Sequence, residues 1–206
     1  MNKVYNISLG GYPFVIDHDA FDELEQYLTS LNRYFKASEG RDEIVSDIEV
    51  RIAELFKEKL KRRKVVSLKD VNDVVDTMGR PEQFAEETYT DSGIYGDNQF
   101  DIRTGKRLYR DPESKILAGV CSGLSAYFGI EDPIWMRLAF AIAFFGFGIG
   151  VLPYIILWMV VPEAKTSGDK LAMRGEAANV SNIANFVQDN MQHLGKKITE
   201  LGKEFK

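Results

Sequence analysis

From Leu138 to Val161 the chain runs for 24 residues without an Asp, Glu, Lys or Arg, although 28% of all its residues are charged. Such a segment needs surroundings that hide it from water. As one helix rising about 1.5 Å per residue it would reach about 36 Å, enough to cross a bilayer once with some tilt. Two crossings need about 40 residues, so a spanning hairpin is excluded. Gly146, Gly148, Gly150 and Pro153 cluster near the middle and predict a kink or a short re-entrant break. Trp135, Tyr154 and Trp158 stand near the ends, where amphipathic rings favour the membrane–water interface, and Arg137 is placed to snorkel to lipid phosphate. The expected class is a mainly α integral membrane protein with a transmembrane segment at about residues 134–161. The Gly-x-Gly-x-Gly spelling is no nucleotide loop, because no strand precedes it.

The front of the chain is different in kind. Met1 to Gly105 holds 14 Lys+Arg against 21 Asp+Glu, a local charge of −7, which argues against nucleic-acid binding. Val4–Leu9 and Tyr12–Ile16 alternate around Gly10-Gly11 and predict a β-hairpin. Asp19 can cap a helix striped with Phe21, Leu24, Leu28, Leu31 and Phe35, and a second helix carries Ile44, Ile48, Ile52, Leu55, Phe56 and Leu60 on one face. Lys61-Arg62-Arg63-Lys64 follows as C-terminal cations that complement the helix dipole, with an inner-leaflet patch as the alternative. Ser67 with Asp70 opens a third helix bearing Val71, Val74, Val75 and Met78, Gly79 stops it, and Pro81 opens a short fourth through Phe84. Residues 1–89 thus read as a helical domain with an N-terminal hairpin, expected to fold alone, and 90–105 as a linker. Met1-Asn2-Lys3-Val4-Tyr5 does not resemble a signal peptide, so this front is expected in the cytoplasm. Lys106, Arg107, Arg110, Lys115 and Arg137 before the apolar run, against Lys165, Lys170 and Arg174 after it, point the same way.

LEQYLTSLNRYF, EIVSDIEVRIAELF and VNDVVDTMGRPEQFAEE, within residues 22–87, resemble the HAAS-type signalling domain of bacterial membrane proteins. That resemblance implies a regulatory helical module, often paired with a transcriptional regulator. A second likeness is more specific. KRLYRDPESKILAGVCSGLSAYFGIEDPIWMRLAF, the apolar run and YIILWMVVPE, over residues 106–163, resemble the PspC (phage shock protein C) domain. The matching positions include Gly119 to Leu124, the turn Tyr127-Phe128-Gly129-Ile130 and the exit Leu157 to Pro162. The resemblance implies envelope-stress sensing at the bacterial inner membrane, with partner membrane proteins and a peripheral effector. Within this segment a helix is expected over Ile116–Phe128, with Gly119 and Gly123, four residues apart, admitting a second helix at close range.

Lys165 to Gly175 reads as a polar loop. Ile183, Val187, Leu194, Ile198, Leu201 and Phe205, with Val180 and Met191, then recur at near-heptad steps and form an amphipathic helix that needs a partner. The candidates are a second copy, the N-terminal domain, another protein or the bilayer. The tail is expected in the periplasm if the apolar run crosses fully, and on the cytoplasmic side if it turns back. The lone Cys121 excludes an intramolecular disulfide and a Cys-based zinc site. His18 and His193 fall in different modules and no catalytic constellation is legible, so no enzyme, cofactor or metal is expected. Two readings remain: a membrane-anchored stress regulator working through protein–protein contacts, or an oligomeric structural scaffold without switching. The expected partners are the lipid bilayer, a second copy or other stress-response proteins, and a transcriptional regulator as one candidate effector.

Overall fold

The computed structural model describes residues 3–60, 63–80, 106–113, 116–130, 132–147 and 151–204. Two compact units emerge, one of residues 1–99 with 179–206 and one of residues 100–178. The region 164–206, continuous in sequence, is therefore divided between them.

In the first unit, strands β1 (Val4–Leu9) and β2 (Tyr12–Asp17) pair antiparallel, Val4 opposite Asp17 and Leu9 opposite Tyr12. Gly10 and Gly11 both have positive φ, which makes the two-residue turn possible. A Cβ at Gly10 would also lie 2.7 Å from the Val50 Cα, so the turn rests on the backbone of the second helix. Helix α1 (His18–Tyr34) follows, then a 3-10 turn at Phe35–Ala37 and helix α2 (Arg41–Lys59). The short strand β3 (Val65–Val66), absent from the sequence reading, adds parallel to β2, with Val15 opposite Val65. Its two residues carry too little alternation to be recognised alone.

Helix α3 (Leu68–Met78) starts on a reciprocal Ser67–Asp70 capping box and ends at Gly79. The Asp70 carboxylate accepts from the Ser67 N–H at 3.0 Å and hydroxyl at 2.7 Å, and from both terminal nitrogens of Arg63 at 2.8 and 3.1 Å. Burial alone would push this carboxyl up, but the bonds from Ser67 and Arg63 outweigh it and hold it below its ordinary value. Arg63, one member of the basic run, is thus committed to a structural pair. The core is built from Ile16, Leu24, Leu31, Phe35, Ile44, Ile48, Ile52, Phe56, Val71, Val74 and Met78, all buried. Tyr27 is buried too, and its hydroxyl donates to the Gly79 carbonyl at 2.7 Å, tying α1 to the end of α3. The expected helix from Pro81 to Phe84 and the 90–105 linker lie outside the described residues.

The second unit contains helices α4 (Val120–Phe128), α5 (Pro133–Phe147), α6 (Val151–Val160) and α7 (Ser167–Arg174). Helix α8 (Val180–Glu204) returns to the first unit and packs on α2.

The chain does not form the single transmembrane helix expected at about 134–161. The run is divided between α5, 15 residues, and α6, 10 residues, or about 22 and 15 Å against a hydrocarbon layer of about 30 Å. Among the described residues no helix is long and apolar enough to cross a membrane. The Phe140 and Tyr154 rings meet edge to face at 5.6 Å, so α6 turns back towards α5 instead of continuing it as one rod. Glycine in a helix interior costs about 1 kcal/mol relative to alanine, and the sequence places three between 146 and 150. Pro153 then falls in the first turn of α6, where a missing N–H breaks no helical bond.

Candidate functional site

The second unit is organised by the segment Lys106–Asp111, which threads past α4, the exit of α6 and the end of α7. Arg110 is its centre. Its N–H donates to the Pro162 carbonyl at 2.8 Å, and its carbonyl accepts from the Ala164 N–H at 2.9 Å, a parallel bridge to Glu163. Its guanidinium donates through Nε to the Val161 carbonyl at 2.9 Å and through Nη1 to the Ala118 carbonyl at 3.0 Å. A cation on the carbonyl just past α6 also complements that helix's dipole. Alongside, the Arg107 N–H donates to the Ala172 carbonyl at 3.1 Å and Lys106 Nζ to the Tyr127 carbonyl at 3.2 Å. Burial, with the Asp169 charge added, raises the Tyr109 phenol above its ordinary value.

Gly119 and Gly123 take their meaning from this segment. A Cβ at Gly123 would collide with the Tyr109 carbonyl oxygen, and one at Gly119 with that of Asp111. Asp111 N–H donates to the Gly119 carbonyl at 3.1 Å. What approaches these glycines is extended backbone, where the spacing had suggested a helix. Gly119 has φ +77 and sits at the N-cap of α4, so the helix begins at Val120, not at Ile116. Gly129, also at positive φ, closes it, with the Ile130 N–H on the Ser125 carbonyl at 2.8 Å. The expected loop at 165–175 is α7 instead, opened by a Thr166–Asp169 capping box and closed by Gly175 at positive φ. Thr-x-x-Asp followed six residues later by Gly was the signal that could have found it.

Around this framework α5 and α6 present an apolar exterior. Trp135 and Trp158 are exposed, as are Ile142, Leu152 and Ile156, while Phe145 and Met159 leave 84% and 82% of their surface open. No residue of α6 is buried. Exposed apolar surface on large side chains is characteristic of interaction sites. Tyr154 plays a different part from its neighbours: its hydroxyl accepts from the Ala118 N–H at 3.2 Å while its ring meets Phe140. Gly146 has open space around its Cα, Pro153 is exposed, and Gly148 and Gly150 lie outside the described residues.

Between the start of α4 and the two apolar helices lies an open cleft of about 540 Å³. Phe140, Ala141, Phe144, Val151 and Tyr154 form its walls, and Arg137 and Cys121 border it. Burial pushes the Cys121 thiol up, and the Arg137 charge acts in the opposite direction.

The helix proposed to bind partners divides in two. Ile183 and Val187 are buried in the first unit, Val187 and Met191 lying against Gly40 at the start of α2. Leu194, Ile198 and Leu201 are 58%, 70% and 54% exposed, and the side chain of Phe205 lies outside the described residues.

Residues 106–164 match the PspC domain family, so the second unit carries a PspC domain. Members of that family are generally membrane-associated stress proteins. No curated protein and no solved structure matches the chain.

Proposed function

We propose that this protein is an envelope-stress regulator that sits on the bacterial inner membrane through its PspC unit and acts by protein–protein contacts. The observation that carries this reading is the PspC match over a unit whose α5 and α6 expose an apolar surface. Both helices are short, so the pair lodges in one leaflet. Each large side chain removed from water there contributes roughly 1.5–3 kcal/mol. The HAAS resemblance and acidic charge of the first unit suit a regulatory module on the cytoplasmic side, with a transcriptional regulator among its candidate partners. The chain passes between the units twice, near residues 99 and 178, so a change in the PspC unit has two covalent routes to the regulatory module. The exposed Leu194, Ile198 and Leu201 offer a surface for a second copy or an effector.

Flotation of the full chain with vesicles tests the membrane step. Wild type is expected to float, and Ile156→Asp with Met159→Asp to remain in solution. Equal flotation of both, or none of the wild type, removes the membrane reading. Crosslinking in native membranes with and without envelope stress tests the regulatory step: partner yields indifferent to stress would leave a scaffold.

A further inference from the structure

We infer that the cleft bordered by α4, α5 and α6 binds one anionic phospholipid, an acyl chain between the aromatic walls and the headgroup phosphate on Arg137. The inference takes the source of its ligand from the membrane reading above. At about 540 Å³ the cleft falls inside the roughly 300–1,000 Å³ typical of small-molecule sites. Its walls are hydrocarbon: Phe140 and Phe144 on α5, Val151 on α6, and Leu117 ahead of α4.

Arg137 is a charged side chain among the described residues that line it. A guanidinium is always cationic, and its planar fork matches the oxygens of a phosphate. The first turn of α4 edges the same cleft at Cys121 and Ser122, and the partial positive charge of a helix start acts in the same sense. A neutral hydrocarbon would use the walls and ignore the charge. A free phosphate would use the charge and leave the walls wet. A phospholipid uses both.

Access favours the same ligand. Ile116 and Leu117 line the cleft yet leave 74% and 75% of their surface open, so its apolar wall continues onto the exposed surface of the unit. An acyl chain in the leaflet can therefore slide in sideways without passing through water.

The test uses the full chain floated on vesicles of mixed phosphatidylglycerol and phosphatidylcholine, released in mild detergent and weighed by native mass spectrometry. One retained phosphatidylglycerol per wild-type chain is expected. Ala141→Phe puts a ring into the cleft and should cut retention about tenfold while still floating. Val151→Phe fills the same space from the facing helix and separates occlusion from a folding fault in the first variant. Arg137→Gln should retain lipid but lose an anionic preference of about fivefold. Unchanged retention in both filled variants, or a variable lipid count without anionic preference in wild type, overturns the inference while flotation stands. If wild type does not float, the membrane reading fails by itself. The cleft is then judged by titration with dispersed short-chain phosphatidylglycerol, and absence of saturable one-to-one binding overturns it.

Discussion

The Nε of Arg110 donates to the Val161 carbonyl at 2.9 Å while Nη1 of the same guanidinium holds the Ala118 carbonyl at 3.0 Å. One side chain thus joins the residue just past α6 to the turn that precedes α4. Lysine keeps the charge but lacks two fixed, divergent donors. Arg110→Lys is expected to destabilise the PspC unit by about 1–3 kcal/mol through an unsatisfied carbonyl. Both tryptophans, Trp135 and Trp158, lie in this unit, so denaturant unfolding followed by their fluorescence reads it selectively. An unchanged midpoint would remove Arg110 from its central place.

Two helical glycines should respond in opposite ways to alanine. Gly195 has open space at its Cα, so Gly195→Ala should stabilise α8 by up to about 1 kcal/mol. Gly123→Ala gains the same propensity but drives a methyl into the Tyr109 carbonyl, and the PspC unit should lose stability or fail to fold. Circular dichroism melts of the two variants supply the comparison. Equal effects would mean that Lys106–Asp111 does not lie against α4 at Gly123.

The Asp70 carboxyl is held below its ordinary value near 3.8. Its contribution to folding is therefore complete above that value and is lost as pH falls through the lower folded one. Asp70→Asn should lower the stability of the first unit by about 1–3 kcal/mol at pH 7. The gap to wild type should narrow below about pH 3.8. Urea titrations at neutral and acid pH decide it; a gap that is constant or widens with acid contradicts the network.

Helix α8 offers a positional contrast. Ile183 is fully buried, and Ile183→Ala should cost the first unit about 2–5 kcal/mol. Leu194→Asp and Leu201→Asp lie on exposed surface and should leave the melt within about 0.5 kcal/mol. Their expected effect is on crosslinked oligomer and partner yields. Hydrogen exchange along α8 gives an independent view, with protection expected through Val187 and fading beyond Met191.

Much of this protein was legible in local sequence because local chemistry decides it. Gly10-Gly11 specifies a tight turn through the backbone angles it permits, and the Ser67–Asp70 box marks the start of α3 by a bond spanning three residues. The stripes of α1 and α2 announce their buried faces by period alone, although Tyr27 was missed because its position is filled by an amphipathic ring.

Where the partner is remote, sequence spacing was silent. Gly119 and Gly123 ask for a close neighbour in the same way whether it is a helix or the extended backbone at Tyr109. The stripe of α8 is continuous, yet only its first half reaches Gly40, because the extent of the N-terminal core decides where burial ends. The run from Leu138 to Val161 is apolar on every face, so its pattern is the same for one long rod as for two helices folded together. Length and hydropathy made cover necessary; the contact of the Phe140 ring with that of Tyr154 decided that the run turns back on itself.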